Sequence, residues 1–248
     1  MEILTTPELV VLLVLIVIAA ALYSSVGHGG ASGYLAAMAL LGVAPLVMKP
    51  AALSMNIAVS GLVFYRLWRA GSFNAQLFWP FAVGSVPFAY IGGALTLPGG
   101  IYKILVALAL LLAAWRLLWK AQDQEASAQP NFWLALACGA GLGFVSGLTG
   151  VGGGIFLSPL LLLMRWANMR TTAAISAAFI LVNSIAGLAG HAQAAVTWPA
   201  QLPLLMLAAL IGAMIGSELA VRRLAPVTLR RLLGAVLVIA GAKLIATA

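Results

Sequence analysis

"SSVGHGGASG" (residues 24–33) and "GLTGVGGG" (residues 147–154) interrupt a chain that is otherwise almost continuously apolar. Each glycine-rich cluster is followed by another apolar run, so each predicts a helix that begins at the cluster. Glycine at such a helix start leaves backbone N–H groups open and lets a ligand approach closely. At membrane depth, backbone broken in this way is tolerated only where protein surrounds it or where it lines a water-filled cavity.

Composition places the whole chain in a membrane. The 248 residues are 64% hydrophobic and 7% charged, whereas soluble domains are about 45–50% apolar and about 25% charged. The net charge of +8 does not indicate nucleic-acid binding, because the basic residues lie between apolar segments, where topology signals belong. The N-terminus lacks the positive n-region of a signal peptide and is predicted to be an uncleaved first span.

Ten apolar segments predict an all-α, polytopic integral membrane protein, because lipid leaves the backbone no other open-ended structure. Eight are predicted to be full spans. For the short segments at 31–48 and 154–164, the sequence does not decide between full spans and half-helices. Leu237, in the last segment, is predicted to face lipid. The segments run at about 8–26, 31–48, 50–67, 77–97, 101–119, 132–149, 154–164, 172–190, 200–221 and 229–246.

The two halves of the chain repeat their motifs in the same order, which indicates an internal duplication. We predict a first transmembrane repeat at 1–119, a cytoplasmic linker "KAQDQEASAQPN" at 120–131, and a second transmembrane repeat at 132–248. The matching pairs are residues 26–30 with 149–153, residues 51–54 with 173–176, residues 79–80 with 198–199, and Pro98 and Lys103 with Pro226 and Arg231.

Charge decides the predicted orientation. If all ten segments cross, starting outside, only Lys49, Lys103 and Lys243 of the 13 Lys and Arg residues face outward. The positive-inside rule then places both termini in the periplasm and the linker in the cytoplasm. Five segments in each half is an odd number, so the repeats are predicted to be inverted. Inverted repeats are typical of transporters whose substrate site lies between the repeats, near the middle of the membrane.

An apolar helix, a glycine cluster such as "GVGGG", a short "IFLSPLLLL" stretch and an Ala/Ser-rich segment all occur twice. This pattern resembles the sulfite exporter TauE/SafE family over nearly the whole chain. The first copy departs from it, because His28 stands where a small residue is usual and "GASGYL" replaces the glycine-then-proline run. The resemblance implies seven or eight spans and the movement of small anions, often sulfite, sulfonates or other sulfur-containing acids, across the bacterial inner membrane.

The predicted substrate site lies between the two clusters. Aligned N–H groups at a helix start attract anions without a formal cation, and close helix packing is the competing explanation for these glycines. His28 is the only adjustable charge, and His191 is predicted to be interfacial. The predicted substrate-binding residues are Gly27, His28, Gly29, Gly30, Ser32, Asn56, Gly150, Gly152, Gly153, Gly154 and Asn183.

Other function classes fit the sequence less well. An intramembrane serine protease would use Ser32 of "GASG" with His191 as base, but these residues are far apart in sequence. A metal enzyme is not indicated, because five acidic residues form no ligand motif, and no cofactor is predicted. A cation carrier would need intramembrane carboxylates. A passive anion channel and a carrier of another small solute remain as alternative functions. The oligomeric state is not predicted, and a homodimer is among the alternatives. The expected partners are a small anion and membrane lipid.

Overall fold

The computed structural model describes residues 5–118, 126, 128–193, 198–222 and 227–248. Within these ranges the regular structure is entirely α-helical, which confirms the predicted all-α, multi-pass class. Most of the predicted linker at 120–131 lies outside the described residues. The helices are α1 (Thr6–Ser24), α2 (Ala31–Leu40), α3 (Pro45–Arg69), α4 (Ala75–Ala94), α5 (Gly99–Leu118), α6 (Phe132–Thr149), α7 (Gly154–Leu163), α8 (Met169–His191), α9 (Leu202–Arg222) and α10 (Val227–Ala246).

Two helices are far too short to cross a membrane. α2 and α7 each have 10 residues, and a helix of that length reaches about 15 Å, half of a hydrocarbon core of about 30 Å. Five of the described helices, α1, α3, α4, α6 and α8, are long and apolar enough to span. α2 and α7 are therefore half-helices; α2 starts directly after the first glycine cluster, and α7 starts at Gly154, the last residue of the second.

The predicted boundary between the second and third segments is wrong. α2 ends at Leu40 and α3 already begins at Pro45, so the segment predicted at 31–48 is divided between two helices. Proline is favoured at the first position of a helix, where its missing N–H is not needed. As a result Lys49, predicted in an outer loop, lies inside α3 and is only 5% exposed.

Helix packing is reciprocal between the halves. α1 packs along α9 and α4 packs along α6, so the first helix of each half contacts the fourth helix of the other. These contacts are close because glycines face the neighbouring backbone: a Cβ at Gly84 or Gly147 of the α4–α6 pair would collide with main-chain atoms. Small residues at helix contacts are the usual means of close packing in membranes.

The third helices of the two halves pack against each other, as do the fifth helices. Both pairs are antiparallel, because residues that are early in one helix meet residues that are late in the other. Corresponding helices of the two halves therefore run in opposite directions where they meet. The contacts that set these directions are Leu53 with Gly187 and Asn56 with Ser184 between α3 and α8, Ala107 with Gly241 between α5 and α10, and Gly100 with Ala248, just after the end of α10.

Candidate functional site

The two glycine clusters have matching backbone turns. Gly27 and Gly150 adopt φ values of 82° and 81°, and Gly30 and Gly153 adopt 101° and 78°. Side chains other than glycine are strained in this left-handed region. Gly30 and Gly153 are the N-cap residues of α2 and α7, so each cluster leads into a half-helix through a left-handed N-cap. The clusters differ at the preceding position, where Gly152 has φ 85° and Gly29 is not among the glycines with positive φ.

The clusters meet on the same two side chains, Asn56 of α3 and Ile180 of α8. A Cβ added at Gly29 would lie 2.5 Å from Asn56 Oδ1 and 3.0 Å from Ile180 Cγ2. One added at Gly152 would lie 2.6 Å from Asn56 Nδ2 and 2.8 Å from Ile180 Cγ2, and one at Gly154 would lie 2.5 Å from Ile180 Cδ1. The absence of side chains at these glycines is therefore what lets both clusters reach Asn56 and Ile180.

Asn56 joins the clusters by hydrogen bonds. Its Oδ1 accepts from the backbone N–H of Ala31, the first residue of α2, at 3.1 Å. Its Nδ2 donates to the carbonyl of Val151 at 3.3 Å and to Ser184 Oγ at 3.4 Å. Asn56 is completely buried. Its carboxamide oxygen thus occupies the position at a helix N-terminus where an anionic oxygen would bind.

His28 extends from the first cluster to the second half of the chain. Its Nδ1 lies 3.0 Å from the carbonyl of Val26 and its Nε2 lies 2.9 Å from Ser158 Oγ, which lies 2.7 Å from Ser176 Oγ. Because a carbonyl only accepts, Nδ1 carries the proton, and in the neutral ring Nε2 accepts from Ser158. The sequence did not single out Ser158, although it lies one turn after Gly154 in the quoted "IFLSPLLLL".

Three of the predicted glycines lie in close packing contacts. A Cβ at Gly27 would collide with Ala173 near the start of α8, and one at Gly150 would lie 3.2 Å from Lys49 Cγ near the start of α3. A Cβ at Gly153 would lie 2.8 Å from a ring atom of Phe179. Gly27 and Gly150 thus seat the clusters against the opposite half of the chain, and Gly153 packs within its own half; such contacts are those expected of the packing explanation.

Ser32 and Asn183 have no recorded hydrogen bond to Asn56 or to the glycine clusters. Ser32 Oγ donates to Tyr23 OH of α1 at 2.7 Å, so its recorded partner is not the His191 that a serine protease would require. Asn183 donates from Nδ2 to Phe179 O at 2.8 Å, and its Oδ1 is buried without a partner. A buried acceptor left unpaired is costly. The Oδ1 atom of Asn183 is such an acceptor, and Asn183 is close in sequence to Ile180 and Ser184.

The surroundings of the clusters are poor in acids. In the parts of the chain that the structure describes, no three His, Cys, Asp or Glu side chains come together as a metal site. A cavity of about 380 Å³ lies elsewhere, where the start of α4 meets the end of the linker, and is lined by Asn74, Gln129 and Trp166 among others. The chemistry available at the clusters is therefore that of backbone N–H groups, hydroxyls, carboxamides and one imidazole.

Comparison with known proteins gives consistent matches. A family model described as "Sulfite exporter TauE/SafE" matches residues 12–244. The probable membrane transporter protein y4hK of Sinorhizobium fredii is 37% identical over 228 residues, which are 90% of this chain and 92% of the relative. The probable membrane transporter protein MJ0441 of Methanocaldococcus jannaschii is 33% identical over 118 residues, 44% of this chain and 42% of the relative. No solved structure matches the chain.

Proposed function

Because the chain belongs to the sulfite exporter TauE/SafE family, we propose that this membrane transporter exports a small anion through a site between its two glycine clusters. The substrate class is sulfite, an organosulfonate or a related small organic or sulfur-containing acid. The membrane is the bacterial inner membrane, with both termini in the periplasm and the 120–131 linker in the cytoplasm.

The observation that carries the proposal is the position of Asn56. Its carboxamide oxygen accepts from the N-terminal N–H of α2 at 3.1 Å, and its nitrogen binds the second cluster. An anionic oxygen of the substrate takes over the bond to Ala31 N, and the helix dipole favours negative charge at that position. The site contains no formal cation at this point, so the anion is held by dipoles that bind it and also release it.

Charge supports an anion over a cation. The whole chain has five acidic residues, and the two with described contacts lie away from the clusters: Glu8 accepts from Thr5 at the start of α1, and Glu218 lies 3.6 Å from Arg66. A cation in the membrane interior would need carboxylates to replace its hydration. An anion needs only donors, which the helix N-termini supply.

The packing of the halves supports a carrier with inverted repeats. The antiparallel contacts of α3 with α8 and of α5 with α10 are those expected when residues 1–119 and 132–248 are related by an axis in the membrane plane. In such transporters the two repeats rock about a site at their interface. Asn56 and Ile180 fill the space between Gly29 and Gly152, which favours a carrier in a closed state over an open channel.

Export of an anion needs no dedicated proton pathway. Moving one negative charge out of a cell that is negative inside gains about 2.3 kcal/mol per 100 mV, which corresponds to about a fortyfold gradient at equilibrium. Basic cytoplasmic loops would also concentrate anions at the inner entrance. We therefore expect net flux of the anion to depend on membrane potential.

Proteoliposomes loaded with radiolabelled sulfite or a sulfonate test the proposal. An imposed potential that drives anions outward is expected to accelerate efflux from vesicles containing the protein, and reversing its sign is expected to slow it. The Gly152→Ala variant, whose added methyl group would collide with Asn56, is the matched control for specific flux. The proposal fails if neither anion moves faster than in protein-free vesicles, or if flux follows an imposed pH step and ignores voltage.

A further inference from the structure

We infer that Lys49 and His191 form a second anion-binding site on the same transport route, beside Gly150 and at the end of α4. This inference rests on the proposed function, since it adds a binding step to it. The ligand class is a small oxyanion with at least two oxygens, such as a sulfonate. Neither residue belongs to the site between the clusters.

Lys49 is a buried cation whose recorded partners are all carbonyls. Its Nζ donates to Gly93 O at 2.9 Å and to Gly92 O and Leu95 O at 3.4 Å each. These carbonyls belong to the C-terminal end of α4, whose dipole is equivalent to only about half a negative charge. Among the described residues no carboxylate is recorded in contact with Lys49, so part of its charge is left uncompensated in a buried position.

His191 presents an unpaired nitrogen at the same place. It is the last residue of α8 and is 7% exposed. Its Nδ1 has no partner, and its ring lies against the backbone of Gly93 and close to Lys49. Because a carbonyl only accepts and Nδ1 is unpaired, the nitrogen that faces Gly93 is Nε2, which carries the proton in the neutral ring. Nδ1 then has a lone pair in the neutral ring and a donating N–H in the protonated ring.

The two residues meet at the same end of α4 and so lie side by side. Lys49 donates to Gly93 O and the His191 ring lies against the Gly93 backbone. α8 is pressed against this end of α4, because a Cβ at Gly190 would collide with Tyr90 O. One oxygen of an oxyanion can bind the ammonium while another accepts from protonated Nδ1. The two long contacts of Lys49, at 3.4 Å, can be exchanged for an anionic oxygen at little cost.

The location connects the pair to the transport route. The Lys49 side chain packs against the second cluster, since a Cβ at Gly150 would lie 3.2 Å from Lys49 Cγ. α3 begins at this end of the bundle, while α4 and α8 end there. An anion that leaves the clusters toward this face therefore passes the ammonium, which offers the positive charge that the clusters lack.

Binding at this site is expected to depend on the protonation of His191. The titratable groups recorded around His191 are Lys49 of α3 and Tyr90 of α4. The Tyr90 hydroxyl accepts a hydrogen bond from Gln193. Near the second cluster, Tyr102 of α5 donates to Thr149 O at 3.2 Å. An imidazole ordinarily changes charge between about pH 5 and 7, so His191 is the group that adds or removes a positive charge at this site in that range. An anion should therefore bind more tightly at the acidic end.

A purely structural role for Lys49 makes different predictions. Capping the carbonyls of α4 would make Lys49 important for stability but irrelevant to anions. Lys49→Met keeps the stem that packs on Gly150 and removes the charge. His191→Gln keeps an amide donor for Gly93 and cannot be protonated. Lys243→Met is the matched control, because Lys243 also donates to a carbonyl at a helix end, Leu40 O at 2.8 Å, but is exposed.

The experiment measures binding and counterflow of 2-hydroxyethanesulfonate, whose charge is constant over this range, at about pH 5.5 and about pH 7. The wild type is expected to bind several-fold more tightly at the lower pH. Lys49→Met is expected to raise Kd and KM about tenfold or more, His191→Gln to remove the pH dependence, and Lys243→Met to match the wild type. If Lys49→Met does not fold, loss of the pH dependence in His191→Gln decides the question.

Two failures are distinguishable. If the wild type binds and transports the sulfonate, and both variants keep its Kd, KM and pH dependence, the inference is wrong and the proposed function stands. A lower melting temperature in Lys49→Met with an unchanged Kd would likewise make the role of Lys49 structural and overturn the inference. If the wild type neither binds nor moves the sulfonate or sulfite, the proposed function fails and the second site fails with it.

Discussion

Replacing Gly152 with alanine places one methyl group where the two clusters meet. Gly152 has φ +85°, and its added Cβ would lie 2.6 Å from Asn56 Nδ2, 2.8 Å from Ile180 Cγ2 and 3.2 Å from Ser184 Oγ. The methyl group must therefore displace Asn56 from the carbonyl of Val151. Because the other end of the same carboxamide binds Ala31 N, the change reaches the first cluster as well.

The loss of stability expected for Gly152→Ala has two parts. A left-handed residue other than glycine costs about 1–2 kcal/mol, and an extra methyl group in a packed interior costs about 1–3 kcal/mol, so Gly152→Ala should destabilise by about 2–5 kcal/mol. Gly71 has φ +71° with nothing within 4 Å of its added Cβ, so Gly71→Ala carries the first part alone. Gly141→Ala carries neither, since it has open space and no positive φ.

The assay combines thermal unfolding of the purified protein with anion efflux from proteoliposomes. Melting temperatures should fall in the order Gly141→Ala, Gly71→Ala, Gly152→Ala, and only Gly152→Ala should lose efflux, by at least about tenfold per folded molecule. If Gly152→Ala folds and transports like Gly71→Ala, Asn56 is not held at the closest approach of the clusters, and the site lies elsewhere.

Three further predictions concern the hydrogen-bond relay from His28 through Ser158 to Ser176, the open acceptor of Asn183 and the topology. Ser158→Ala removes the partner of His28 Nε2 and should shift the pH profile of transport in the same way as His28→Gln, whereas Ser54→Ala, whose hydroxyl bonds only its own helix at Pro50 O, should not; identical profiles in all three would refute the relay. Asn183→Leu removes the unpaired Oδ1 and should weaken anion binding several-fold without a large loss of stability; unchanged Kd would assign Asn183 to packing. In a Cys138→Ala background, a cysteine at Ala248 should react with an impermeant maleimide in intact spheroplasts while one at Ser127 is protected, and the reverse pattern would overturn the orientation.

Some of the site could be predicted because glycine has a backbone signature. Gly30 and Gly153 cap half-helices in left-handed conformations, a geometry that few other residues adopt. Asn56 was also foreseen, because a carboxamide in an apolar segment requires a partner. Its partners were not foreseen: the carbonyl of Val151 is 95 residues away in sequence, and no local pattern encodes such a contact.

The sequence alone determined the membrane environment, the helical class, the two clusters and the order of segments, because hydropathy and glycine content act locally on the chain. Only the tertiary structure decided which apolar faces turn inward. Leu237, predicted to face lipid, is 0% exposed, and Lys49 and His191, predicted at the surface, are buried. The physical reason is that lipid and protein interior are equally apolar. Hydropathy therefore indicates which residues avoid water, but it does not distinguish a residue that contacts lipid from one that contacts another helix.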